Sequence, residues 1–151
     1  MKLKEILVIG ILFLIGFGFT YFYQNYFIDE RDKVCFEGDC FYVEVVDNNG
    51  NRMKGLMFRE FLGDDEGMLF VLESSGIYPF WMKNTLITLD MIWINSEKEV
   101  VFIQENAAPC EEDPCRSYNP GVEALYVLEI NGGKSLDIGL EVGDKLDFYI
   151  E

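Results

Sequence analysis

The residues able to do chemistry sit inside the most apolar run beyond the N-terminus, YPFWMKNTLITLDMIWI (Tyr78–Ile94), which Lys83, Asn84 and Asp90 interrupt. In its second half one face carries Ile87, Leu89, Met91 and Trp93, and the other carries Leu86, Thr88, Asp90, Ile92 and Ile94. Both faces are largely apolar, so a strand here is expected to be covered on both sides. A buried carboxylate with no partner is costly and tends to take up a proton. Asp90 is therefore expected to find one. Lys83 and Arg59 are the candidate cations, with Asn84 and Thr85 as candidate donors.

Two readings of this group stand side by side. In the structural one, Asp90 ties down the turn MKNT while the Lys83 stem runs past Phe80, Trp81 and Met82 to water. In the functional one, Phe80, Trp81, Trp93 and Tyr118 wall a pocket whose polar groups are Arg59, Lys83, Asn84 and Asp90. Glu129 and Asn131, two positions apart on a later strand, share a face that could join it. Apolar walls with a few convergent polar groups describe a small-molecule site, and aromatic faces suit sugars or organic cations, so a sugar or organic ion is the expected ligand class.

The chain has no histidine. That removes His-based triads, the usual general base near neutral pH and most catalytic zinc sites. P-loop, GxGxxG and GxSxG patterns are also missing. Three function classes remain. The first is a small-molecule-binding or cell-surface interaction module. The second is a hydrolase or lyase with Asp90 or Glu129 as base and Lys83 or Arg59 on a developing anion. The third is an accessory structural component of an envelope complex. No cofactor and no metal is expected, and nothing identifies a protein partner.

The four cysteines form two matched pairs, Cys35/Cys40 in CFEGDC and Cys110/Cys115 in CEEDPC. Four cysteines allow three connectivities. Two local disulfides come first, because each intervening stretch is turn-like. Crossed bridges are an alternative, and so is a four-cysteine zinc site. Glu111, Glu112 and Asp113 would crowd that zinc site with negative charge. DNNGN (Asp47–Asn51) has the look of a calcium loop, but Arg52 stands where glycine is required.

The formal net charge is −15 over 151 residues. That argues against nucleic acid as a partner, and against a domain lying flat on anionic lipid. Ile6–Tyr23 is 18 residues without a charge, roughly 27 Å of helix and close to a bilayer's hydrocarbon core. Tyr21, Phe22, Tyr23, Tyr26 and Phe27 form an aromatic collar at its end. A cleaved signal peptide would end in small residues instead. The sequence thus predicts a cytoplasmic N-terminus over 1–5, a transmembrane anchor over 6–23 and a linker over 24–33. A domain over 34–151 follows, outside the cytoplasm at the cell membrane, where disulfides persist.

That domain reads as about eight short strands with frequent turns. KVCFEG and CFYVEVV form one hairpin, the Asn-Gly of DNNG promises another, and TLITLDMIWI turns through NSEKE into VVFIQENA. A short helix fits NGGKSLDIGL, and GDKLDFYI suits an edge strand. The expected fold is mainly β: an antiparallel, barrel-like domain with one or two short helices.

Several blocks recur in an order that carries a resemblance: GLMFR (Gly55–Arg59), GMLF (Gly67–Phe70), FWMKNT (Phe80–Thr85), Leu89–Asp90, the second cysteine pair with Tyr118, LEINGG (Leu128–Gly133) and Gly143–Asp144. From roughly Cys40 to Glu151 the chain resembles the family called domain of unknown function 192. Thr88 and Asn131 stand where that family often has proline, and Gly132 where it often has alanine. The resemblance implies a compact β-rich domain, often behind a signal or anchor. It implies no activity to carry over.

Overall fold

The computed structural model describes residues 31–151, and the expected cytoplasmic segment and anchor lie outside them. No helix among the described residues is long and apolar enough to cross a membrane. The elements are β1 (Lys33–Phe36), β2 (Asp39–Val46), α1 (Asn49–Lys54), β3 (Glu66–Gly76), β4 (Phe80–Trp81) and β5 (Leu89–Ile94), followed by β6 (Val100–Ala107), β7 (Ser117–Tyr118), β8 (Ala124–Asn131), α2 (Lys134–Asp137) and β9 (Asp147–Tyr149). The domain is mainly β with two short helices among the described residues.

Seven strands form one sheet in the order β6-β5-β8-β3-β2-β1-β9, and β4 pairs with β7 in a separate ribbon. The sheet does not close into a barrel, which corrects the barrel-like expectation. β9 pairs along its three residues with β1. Among the described residues the two edges are hydrogen-bonded only where Lys98–Val100 and Gly143–Leu146 exchange three backbone hydrogen bonds, around the bridge Glu99–Lys145. Nor is the sheet wholly antiparallel, because β2 and β3 run parallel.

That parallel pair follows from a second correction. The Asn-Gly pair after β2 opens α1 rather than a hairpin. Asn48 caps α1, its side chain accepting from the Asn51 N–H at 3.0 Å. The chain then crosses over before returning as β3. Gly55 ends the helix at φ 46, where a Cβ would come within 3.3 Å of the Phe70 ring. Only glycine accepts both that dihedral and that approach.

The alternation in LDMIWI holds, and all six residues of β5 are buried. Met68 and Phe70 of β3, Met91 and Trp93 of β5 and Val127 of β8 share one core, completed by Leu56, Leu62, Met82 and Tyr118. Leu69, Ile92, Ile94, Leu128 and Ile130 belong to a second, completed by Val34, Phe41, Leu140 and Leu146. Each large side chain so buried contributes roughly 1.5–3 kcal/mol. On the first face Phe70, Phe80 and Trp93 pack edge to face, with centroids 4.9 and 5.7 Å apart. The Trp93 indole N–H donates to the Tyr78 carbonyl at 2.9 Å.

Both local disulfides are formed, Cys35–Cys40 across the β1–β2 hairpin and Cys110–Cys115 within the loop before β7. This sets aside both the zinc site and the crossed bridges.

Candidate functional site

Asp90 is wholly buried, but its partner is not a cation. One carboxylate oxygen accepts from the backbone N–H of Asn106 (2.8 Å) and of Gly133 (2.9 Å). The other accepts from the Ser135 N–H (2.9 Å) and the Ser135 hydroxyl (2.6 Å). Three amides and a hydroxyl thus saturate the group and pin the turn Asn131–Ser135 against β5. The expected pairing with Lys83 or Arg59 is corrected. Backbone N–H groups satisfied the carboxylate, and their positions could not be read from side-chain types.

Lys83 donates instead to Asp113 at 2.6 Å, and its ammonium lies 5.5 Å from the Trp81 ring centroid. Arg59 pairs with Glu44 on another part of the surface. Asn84 acts through its backbone at φ 55, its N–H donating to Cys110 O (2.8 Å) and its carbonyl accepting from the Phe58 N–H (2.7 Å). Phe58 also has a positive φ, 62°. Trp93 belongs to the core, and Tyr118 sits opposite Phe80 in the β4–β7 ribbon.

Four of the sequence candidates do meet. Phe80, Trp81, Lys83 and Glu129 line one open cleft of about 410 Å³. One side is α1 and the turn after it, with Met53, Gly55 and Met57, and the other is Tyr78–Lys83. Phe70, Leu72, Thr85 and Glu129 complete the lining. Trp81 remains 52% exposed at the mouth.

Glu129 is the unusual group. It lies in β8 with Met68 opposite on one neighbouring strand and Met91 on the other, and is only 4% exposed. Among the described residues no group shares a hydrogen bond with its side chain. Yet none of their fully buried side-chain oxygens lacks a partner, so the Glu129 carboxyl must open onto the cleft. Burial pushes it up from 4.5 to about 8. At neutral pH it is therefore protonated, able both to donate and to accept. Asn131, two positions on, donates instead to the carbonyls of Leu62 (3.0 Å) and Gly63 (2.9 Å) and tethers that loop.

The sequence did not single out Arg52, Lys54 or Tyr78, which also line the cleft. The apparent hairpin turn at DNNG hid the helix that carries the two cations. Arg52 is wholly engaged, donating to the carbonyls of Asp47 (2.7 Å) and Val71 (2.9 Å), to Asn49 (2.6 Å) and to Glu73 (2.9 Å). It rivets α1 to β3 and so fixes one side of the cleft. Among the described residues no group of three or more acidic, cysteine or histidine side chains is placed to hold a metal.

Fold and cleft together define a small, mainly β domain with an acid-floored concave site and every cysteine bridged. The sequence model of the family described as DUF192, uncharacterized ACR, matches residues 33–148, and the chain belongs to that family. A UPF0127 protein of Pyrococcus abyssi is 32% identical over 126 residues, 80% of this chain and 95% of that one. Another, from Pyrococcus furiosus, is 31% identical over 111 residues, 70% of this chain and 85% of its own length. The crystal structure of a protein of unknown function from Novosphingobium aromaticivorans DSM 12444 is similar with a TM-score of 0.70 at 37% identity, covering 77% of this chain and 82% of that one.

Proposed function

We propose that this protein is a membrane-anchored, extracytoplasmic module that binds a small molecule in the cleft above Glu129. The observation that carries the binding reading is the buried Glu129 carboxyl, unpartnered within the described residues and turned into an aromatic-walled cavity. A carboxyl that only supported the fold would be saturated, as Asp90 is. A carboxyl that opens into a cavity of this size with no protein partner among the described residues is a group a ligand can engage. The uncharged run Ile6–Tyr23 and the two disulfides support the anchor and the compartment.

The hydrolase or lyase reading loses Asp90, whose oxygens are occupied by four donors. It keeps Glu129 as an acid with Lys83 in the same cleft, but the Lys83 ammonium already holds Asp113. Binding therefore stands ahead of catalysis, and an accessory structural role leaves the Glu129 carboxyl unexplained.

The binding test is a thermal-shift screen of sugars, organic acids and amines on the full chain in lipid nanodiscs. It is repeated on Glu129→Leu, which removes the polar floor. Hits are expected to stabilise wild type and to lose their effect in the variant. Equal shifts in both proteins would move the site elsewhere, and no hit at all would count against binding. A C-terminal reporter active only outside the cytoplasm tests the topology, and activity of a cytoplasmic reporter alone would overturn it.

A further inference from the structure

The charge around the cleft is opposite to that of the chain. Only ten basic residues lie beyond Tyr23, against 26 acidic ones. Three of the ten, Arg52, Lys54 and Lys83, line this cavity, with Glu73 and Glu129 as its carboxyls. Arg52 is neutralised by Glu73, and Lys83 is held by Asp113. Among the described residues no carboxylate lies within ion-pair distance of Lys54, which is exposed on the α1 side. Glu129 adds no negative charge while it holds its proton. The cleft is thus a locally cationic mouth above an uncharged polar floor, in a domain that otherwise repels anions.

We propose that the ligand of this cleft is an organic anion. Its apolar body lies between α1 and Tyr78–Trp81. An inner oxygen accepts from the Glu129 carboxyl, beside the Thr85 hydroxyl, and its acidic group sits at the mouth near Lys54 and Lys83. This rests on the binding reading above and narrows it.

Charge decides against a cation. An ammonium ligand would meet Lys54 at the entrance and find in Glu129 only a neutral acceptor, gaining no ion pair unless the proton left, terms that an anion avoids. The anion instead gains Lys54 and exploits the one protonation state of Glu129 that can donate to it. Above about pH 8 Glu129 ionises, places a like charge at the inner end of the ligand and weakens binding. The other titratable or charged groups of the cleft are Arg52 and Lys54 from α1, Glu73 from β3, and Tyr78 and Lys83 from the segment opposite. On the neighbouring strands Glu129 faces Met68 and Met91, which do not titrate.

The test is calorimetric titration of the full chain in nanodiscs with matched probes that share one 4-hydroxyphenyl body. These are 4-hydroxyphenylacetate, tyrosol and tyramine, with a second triplet on an aliphatic body of about six carbons. The acids are expected to bind at least tenfold tighter than the amines at pH 6.5 and to weaken at least fivefold at pH 9. Glu129→Gln keeps the donor and cannot ionise, so its acid affinity should be the same at both pH values. Lys54→Met, at an exposed position that leaves the fold intact, should weaken the acids at least fivefold and the alcohols little. Amines that bind tighter than acids, or affinity that rises with pH, would overturn the anion while leaving the binding reading standing. Failure of every member of both triplets would overturn both.

Discussion

Asp90 and Glu129 are two carboxyls at nearly the same depth on neighbouring strands. Asp90 faces Ile130 across the β5–β8 ladder and Glu129 faces Met91, so they sit one position apart and point to opposite faces. Asp90 has four donors. Glu129 has none among the described residues and looks into a cavity. Burial alone therefore does not distinguish a lock from a site. What distinguishes them is whether the surrounding protein has already spent its hydrogen-bonding capacity on the group.

The sharpest way to break this contrast is Asp90→Ala. It leaves three amides and a hydroxyl facing an empty space, and is expected to cost about 3–5 kcal/mol in urea denaturation. A loss below about 1 kcal/mol would show that Asp90 does not hold the turn.

Glu129→Gln should act in the other direction, increasingly as pH rises above 4.5. The folded carboxyl titrates at about 8 against an ordinary 4.5. Its stabilising contribution is therefore complete below pH 4.5, drains as pH rises and is gone above about 8. Gln removes that drain. The variant should gain roughly 3–5 kcal/mol on wild type between pH 4.5 and pH 9, read as diverging denaturation midpoints. Parallel midpoint curves would mean that Glu129 titrates normally.

Two smaller effects sharpen the picture. Ser135→Ala removes one of the four donors to Asp90 and should cost about 1–2 kcal/mol by the same denaturation assay. Lys83→Met keeps the stem and loses only a partly exposed ion pair, so it should cost less than about 1 kcal/mol. A loss as large as that of Asp90→Ala would restore the lysine to the fold's internal electrostatics.

Much of the frame was legible because it depends on local pattern. Two-sided burial of LDMIWI, the cysteine pairs, the β5–β6 hairpin and the helix near Lys134 follow from alternation, spacing and turn chemistry. The open sheet and its parallel pair were not legible, since both depend on where the chain goes after Asn48, and DNNG offers both a hairpin signal in Asn49-Gly50 and a helix N-cap in Asn48. The site was half legible. Phe80, Trp81, Lys83 and Glu129 meet, whereas Arg59 lies elsewhere, Trp93 and Tyr118 fill the core, Asn84 contributes only its backbone and Asp90 is sealed by amides. Residue types show which groups need a partner. They do not show which amides the turns will deliver.

The backbone hydrogen bond from Phe58 to Asn84 joins the two sides of the cleft through two residues that both adopt left-handed dihedrals. Holding a bulky residue there stores conformational energy on the order of 1 kcal/mol or more, which the surrounding structure must overcome. The clasp works between main-chain atoms, so with the Arg52 side chain holding α1 to β3 the width of the opening does not depend on the other side chains that line it. Met53, Met57 and Trp81 can then be exchanged like fittings in a fixed jaw. The same frame leaves the proposed ligand site open to retuning by substitution at three lining positions, with no change to the sheet beneath.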